Sequence, residues 1–362
     1  MLERVSGCQS SATVAVDEEA TMQSVKRREV LYSGFRWDHH DERSGYHHVV
    51  ASTEDYVDGG KLWGGDSKIG SLKRRINFAL IDLWTVLKSW RYPVVLIFYP
   101  EQTSYFSAPL LRLMGKKVVY VLHLGEDYWI ERSDSLFLKL KRFNLRFVSK
   151  FIVLTSQQEN VFEKHFPNKV MCIPHGAWCD KERRPTSRAP GATECVTVVG
   201  DTYRDYELLN QIIFVFRERY PQIKLNLVGM KYDKLGEARH SLNVVCHGRL
   251  SKSEYEEVIR DSLFMLLPLT FATANNALLE GISFGIPVIC NSVQGVLEYL
   301  PGHEYVFNSI DDLCVIVDGR LNLNEAGRNQ EAVYLANYLE ENYAWGSIRD
   351  RVREYCLEGL GR

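Results

Sequence analysis

Residues 264–292, FMLLPLTFATANNALLEGISFGIPVICNS, decide how the rest of the chain is read. An apolar run beginning at Phe264 gives way to a polar loop, a short helical stretch, the turn Gly285-Ile286-Pro287 and a second apolar run, Val288 to Cys290. Continuous apolar strands joined through a helix are the unit of a parallel sheet covered on both faces. The loop opens with small and amide residues, and the helix it feeds carries one acid, Glu280, just before Gly281. Backbone N–H groups exposed where a helix begins hold phosphate, and a nearby acid accepts hydroxyl hydrogen bonds. That pairing suits a sugar nucleotide better than it suits plain structure.

Working outward, the same alternation fills the chain twice. In the first half a strand at Glu29 to Ser33 leads through the His-rich loop WDHHDERSGYHHVV to an amphipathic helix over Ser71 to Trp90. Its Ile76, Leu80, Leu83, Trp84 and Leu87 fall at helical spacing. The strands VVLIFY, KVVYVLHLG, FIVLTS and KVMCIP follow, separated by helices, and the series ends at His175-Gly176. The charged, Pro-, Ser- and Gly-containing stretch DKERRPTSRAPGAT, residues 180–193, reads as a linker. A second series then runs CVTVVG, a helix, KLNLVG, LNVVCHG, a helix and the opening stretch. PVICNS, Glu304 to Phe307 and LCVIVDG come next, with a helical tail from Glu325 to Leu360. The expected architecture is α/β: an N-terminal domain over 29–179 and a C-terminal domain over 194–330. A tail over 331–362 is open to a return onto the first domain. Loops after the strands of two such domains face a shared cleft.

Composition sets the bounds. The 362 residues are 45% hydrophobic and 25% charged with a formal net charge of -2, which offers no case for nucleic acid. The eight Cys stand singly, with no metal-ligand spacing, as expected in a reducing compartment. Residues 1–28 are polar, read as a leader, and hold no apolar core of signal-peptide type. No run approaches the ~20 apolar residues of a membrane span. The expectation is a cytoplasmic protein, with peripheral contact at the inner face of a membrane left open. The basic groups Lys68, Lys73, Arg74, Arg75 and, further on, Lys139, Lys141, Arg142, Arg146, Lys150 could meet anionic lipid or simply form solvated faces.

Several positions carry candidate chemistry, each beside a plainer reading. Gly200 permits a tight strand exit and Arg204 can fork onto phosphate oxygens, or be a solvated arginine at a helix start. GxGxxG is absent, so a dinucleotide oxidoreductase loses its usual support. Asn275, Asn276 and the backbone after Thr273 lie where loop becomes helix, a place where one Asn could merely cap. Glu280 follows Leu278-Leu279 on a helix that should pack on the sheet, so its burial requires a partner such as a ribose diol. His123 ends a strand and precedes Asp127, as a donor or base with an acceptor-side acid, or as a packed core histidine. His39, His40, His47 and His48 have no metal spacing.

Taken in order, SGYH, HLGEDYW, IPHG, HGRLSKSEYEEVIRDSLFMLLPL and FATANNALLEGISFGIPVICNS resemble the GT-B glycosyltransferases, especially the large retaining group classed as family 4. The resemblance runs from Glu29 onward and implies two Rossmann-like domains facing each other across a cleft. It implies transfer of a sugar from a nucleoside diphosphate, UDP- or GDP-linked, to a glycan, lipid-linked or small-molecule hydroxyl, without a metal or other cofactor. Glu280 would accept the ribose hydroxyls, and Asn275 and Asn276 would lie beside donor sugar and diphosphate. Gly45, in the loop SGYH, would close on diphosphate or acceptor. Gly200, Arg204 and Thr273 would line the donor site, and His123 with Asp127 the reacting centre. The pattern departs at Ala272, which stands where the family has its first acid. Either an Asn takes over that contact, or donor, turnover or catalysis itself is altered. The competing functions are a sugar-nucleotide epimerase or hydrolase and a non-catalytic nucleotide-sugar or glycan-binding module.

Overall fold

The computed structural model describes residues 28–36, 45–59, 71–131, 135–179 and 194–360. The expected leader through residue 27, most of the His-rich loop with His39 and His40, Lys68 and the expected linker lie outside them. Two six-stranded, all-parallel sheets carry the fold. The first holds β1 (Val30–Gly34), β2 (Tyr56–Asp58), β3 (Val94–Phe98), β4 (Lys117–Leu122), β5 (Lys150–Val153) and β6 (Val170–Cys172), in the order β2-β1-β3-β4-β5-β6. The second holds β7 (Cys195–Val199), β8 (Lys224–Val228), β9 (Val244–His247), β10 (Ser262–Leu267), β11 (Val288–Asn291) and β12 (Val306–Phe307), in the order β12-β11-β10-β7-β8-β9. The central strands read VVLIF and SLFMLL because both faces are covered, and every residue of β3 and β10 is buried.

Strand order locates the site. In the second sheet the chain builds β8 and β9 on one side of β7, then crosses over to add β10, β11 and β12 on the other. The loops leaving β7 and β10 therefore part in opposite directions and open a crevice at the carboxyl ends of the strands. In the first sheet the same reversal falls between β1 and β3. The loops after β7 and β10 are Gly200–Arg204 and residues 268–275.

Each sheet has its own apolar core, and the tail divides between them. Leu335, Leu339 and Tyr343 of the helix Glu325–Tyr343 join the second core, while Trp345, Ile348 and Val352 of the helix Trp345–Leu357 join the first. The crossing point is fastened by Ala177 N donating to Tyr343 O at 2.7 Å and Trp345 N to Ala177 O at 3.3 Å. Gly176 makes this possible: a Cβ there would lie 2.4 Å from the Trp345 ring. Tyr299 adds a second fastening, accepting from His175 N at 2.9 Å and donating to Leu154 O at 2.7 Å. The Glu298 carboxylate accepts from Ser156 N and Gln157 N at 2.7 and 3.2 Å, capping the helix Ser156–His165 from across the sheets.

The structure gives form to one run the sequence left unassigned and turns over one helix it predicted. The run LCVIVDG lies inside the helix Ile310–Asn322, because Ser309 caps Asp312 N at 3.1 Å and two acids occupy the first turn. The helix Ser71–Lys88 forms where expected but is turned over. Phe78, Ile81, Asp82 and Thr85 face the sheet, whereas Ile76, Leu83, Trp84 and Leu87 are exposed. Its polar residues can face inward because they are satisfied there. Asp82 Oδ2 accepts the N–H groups of Tyr105, Phe106 and Ser107 at 2.7–3.0 Å, and Thr85 Oγ1 bonds Ser33 Oγ at 2.5 Å.

Candidate functional site

A cleft of about 950 Å³ opens between the two sheets at their carboxyl ends. His123 reaches it from the end of β4, and Gly200 and Arg204 from the loop after β7. Thr273, Asn275, Asn276 and Glu280 reach it from the loop and helix after β10. The structure thus brings seven of the sequence candidates into one space. Gly45 and Asp127 do not line it: Asp127 is exposed on the short helix Glu126–Trp129, and Gly45 precedes the turn Tyr46–Val49 with φ 102. Gly45 is glycine for its left-handed backbone.

The wall formed by the loops of the second sheet is built from helix starts. Asn275 caps the helix Asn276–Ser283, its Oδ1 accepting from Leu278 N at 3.2 Å, so its amide NH₂ is what it can offer a ligand. Ser251 caps the helix Lys252–Arg260 in a reciprocal arrangement with Glu254. Both helix starts face the cleft and add partial positive charge to it. Tyr255, one turn beyond Ser251, donates its hydroxyl to Glu280 Oε2 at 2.7 Å. This is the partner that the placement of Glu280 required, and it fixes the carboxylate while leaving it further acceptor capacity. Gly281 beside it is a packing residue, since a Cβ there would meet Val288 and Met265 within 2.7 Å.

Arg204 is not a solvated arginine. It is buried, with Nε donating to Val199 O at 2.8 Å, Nη2 to the same carbonyl and Nη1 to Thr202 O at 3.3 Å. Burial lowers its pKa to about 10, so it stays charged at neutral pH. No carboxylate among the described residues comes within ion-pair distance of it. Asp201 is drawn away to Lys231 at 2.7 Å. Gly200 sits at φ +81 with Arg204 Nη2 beneath it, a turn that a side chain at 200 would strain.

On the opposite wall His123 packs among aromatic rings. Tyr99 lies 4.3 Å away and Tyr46 5.3 Å, centroid to centroid, and Tyr46 in turn contacts His175 and Trp345. Burial, with His175 nearby, lowers the His123 pKa to about 3. Glu101 is buried beneath it, its Oε1 accepting His123 N at 2.5 Å and Leu124 N at 3.2 Å. Burial raises the Glu101 pKa to about 7 against the pull of those N–H groups and of Lys141. The 3.9 Å approach of Glu101 Oε2 to His123 Nδ1 is therefore a contact of a neutral ring, not an ion pair. Neither ring nitrogen of His123 has a hydrogen-bond partner among the described residues. Thr273 Oγ1 donates to His123 O at 2.9 Å, tying the loop after β10 to this wall.

Sequence reasoning missed Glu101, Tyr255 and the cleft-lining Arg249 and Lys252. Only Tyr255 had a legible signal, since Ser251 and Tyr255 are four apart on a capped helix and share a face. Ala272 lines the cleft with a buried methyl group where an acid was expected by resemblance. Among the described residues no three His, Cys, Asp or Glu converge where a metal ion could sit.

With this geometry in hand, comparison with known proteins is informative. A sequence model of the family described as glycosyl transferases group 1 matches residues 195–316, about a third of the chain, the part that holds the helix starts facing the cleft. No curated protein matches the chain. Among solved structures, TarM superposes with a TM-score of 0.59 at 14% identity over 77% of this chain, which spans 58% of TarM. HepE from Anabaena, solved with UDP, gives 0.59 at 12% identity over 76% of this chain and 81% of HepE. The lipopolysaccharide outer core galactosyltransferase WaaB gives 0.61 at 12% identity over 92% of this chain and 100% of WaaB. At such identities the likeness is one of fold. The fold is GT-B.

Proposed function

We propose that the chain transfers a sugar from a nucleoside-diphosphate donor to a hydroxyl acceptor held in this cleft. Arg204 carries the reading: a buried guanidinium that among the described residues is bound to backbone carbonyls and to no carboxylate, facing a cleft that two helix starts also face. A buried cation without a counter-charge is costly unless an anion completes it. A diphosphate is an anion of the right charge, and helix starts supply N–H groups to its remaining oxygens. Glu280, held by Tyr255, then accepts the ribose hydroxyls. HepE is solved with UDP and WaaB is named a galactosyltransferase, so a UDP-hexose is the first donor to try.

In the reaction the bond between the anomeric carbon and the diphosphate oxygen breaks, and the acceptor oxygen bonds that carbon on the same face. The acceptor proton passes to the leaving diphosphate, so configuration is retained and no protein nucleophile is needed. Charge on the leaving group is balanced by Arg204 and N–H groups, with Lys252 and Arg249 at the rim, rather than by a metal. His123, neutral at working pH, serves as a hydrogen-bond donor to the sugar or acceptor rather than as a base. The amide of Asn275 takes the contact that Ala272 cannot make, and Asp127 meets the acceptor from outside the cleft.

The test is nucleoside diphosphate release from a panel of UDP- and GDP-sugars, with and without a mixed acceptor extract. Acceptor-dependent release is expected. Equal release without acceptor would point to hydrolysis or epimerisation, and donor binding without release to a binding module in which Ala272 has cost the chain its catalysis.

A further inference from the structure

The helix layer over one face of the first sheet presents large apolar side chains to solvent. Trp84 is 50% exposed, Trp90 65%, Leu113 85% and Leu136 77%, with Leu87 and Phe143 similarly outward. The patch is continuous. Arg75 stacks over Phe137 at 4.5 Å, joining the helix Ser71–Lys88 to the helix Leu136–Asn144. At its other end Lys116 Nζ donates to Trp90 O at 3.1 Å, joining it to the turn after the helix Ser107–Leu113. An apolar face of this extent on a helix that buries Asp82 and Thr85 instead marks an interaction surface.

Its charge says what covers it. Residues 105–125 and 135–158 contain no Asp or Glu, and residues 71–93 contain only Asp82, which is buried and bonded to three N–H groups. Among the apolar side chains stand Arg75, Arg91, Arg112, Lys116, Lys139 and Arg146, none of them ion-paired to an acid among the described residues. Arg91 and Arg146 lie along the rings of Trp90 and Phe143 at 4.4 and 5.7 Å, stems on apolar surface and heads outward. Lys141 and Lys150 are excluded from this face: Lys141 is buried against the carbonyls of Glu101 and Gln102, and Lys150 pairs with Glu358. A second copy of the chain would bring these cations against themselves in a two-fold interface. Trp and Leu flanked by Lys and Arg that pair with no acid among the described residues match instead the interface of a bilayer with negative headgroups.

We propose that this face docks on the surface of an anionic lipid bilayer, with Trp84, Trp90, Leu113 and Leu136 in the interfacial layer and the surrounding cations on headgroups. Arg142 of the same layer donates from Nε to Tyr128 O at 2.9 Å and from Nη2 to Asp127 O at 3.1 Å. Those residues lie just beyond His123 and Gly125 at the acceptor wall. Docking would therefore hold that wall beside the membrane. A lipid-linked acceptor is the class this favours, a step that rests on the sugar-transfer reading, whereas docking itself does not.

The experiment is flotation of the full chain with phosphatidylcholine vesicles and with vesicles containing about one third phosphatidylglycerol, at physiological salt and without donor. Binding to the anionic vesicles alone is expected, weakening as salt rises. Arg91→Gln and Lys139→Gln should each weaken it roughly fivefold. Trp90→Glu combined with Leu113→Glu should abolish it, with unchanged melting temperature because both side chains are exposed. Absence of wild-type binding, or wild-type binding by the double variant, overturns the proposal. So does a wild-type dimer in solution that the double variant dissolves without any vesicle binding. Sugar transfer to a soluble acceptor would stand or fall separately.

Discussion

Glu280 shows what a single residue owes to its neighbours. Its carboxylate accepts from the Tyr255 hydroxyl at 2.7 Å. Glu280→Ala should weaken donor binding by one to two orders of magnitude, the worth of hydrogen bonds to a charged acceptor. Tyr255→Phe should weaken it about tenfold at most, because the carboxylate remains but is no longer held. Titration calorimetry with nucleoside diphosphate checks both, and an unchanged affinity for Glu280→Ala would remove the ribose contact. Glu101 offers a second residue-scale test. Its pKa rises from 4.5 to about 7 through burial, so its contribution to stability is full below pH 4.5 and is lost as pH rises through 7. Glu101→Gln keeps the acceptor for His123 N and Leu124 N and removes the titration. Relative to wild type it should gain on the order of 2–3 kcal/mol between pH 4.5 and 8. Urea midpoints at the two pH values measure it, and a pH-independent difference would refute it.

At the scale of elements, the loop after β10, proposed to hold the donor, depends on a residue outside it. Gly295, at the start of the short helix Gln294–Leu297, lies so close to the loop after β10 that a Cβ would stand 1.9 Å from Ala272 O. Gly295→Ala must therefore displace the loop bearing Ala272 and Thr273, at a cost of about 1–3 kcal/mol. The expected result is a lower melting temperature together with weakened donor binding, since Thr273 also bonds His123 O. Loss of stability with intact donor affinity would show that the loop relaxes elsewhere. The helix Ser71–Lys88 teaches the complementary lesson. Its apolar periodicity identified it as a helix, yet that stripe faces solvent, because the side chains that cap and satisfy the neighbouring loop are polar.

At the scale of the whole molecule, the first half and the tail meet at a buried group of rings that includes His123, His175, Tyr46 and Trp345. Burial holds His123 at about 3 and His175 at about 4, both below the ordinary value of 6.5. The unfolded chain takes up these protons near pH 6.5 and the folded chain does not. Stability is therefore intact above pH 6.5 and falls as pH drops from there toward 4. The melting temperature should decline over that range, and His123→Asn with His175→Asn should flatten the decline; an unaltered slope would place the acid sensitivity elsewhere.

The sequence by itself determined the two parallel α/β halves, because strands buried on both faces must be written as unbroken apolar runs. It also determined where the loop between β10 and the helix Asn276–Ser283 lies, because helix starts and glycine turns are local. Only the tertiary structure decided which polar groups meet. Tyr255 reaches Glu280 from 25 residues away, Glu101 lies under the His123 loop, and Arg204 turns inward onto carbonyls of its own strand exit. Such pairings depend on the crossing of strands that are distant in sequence, and no periodicity encodes them. The outward apolar face was equally beyond the sequence, since spacing reveals that a helix has two faces and packing alone chooses which one is buried.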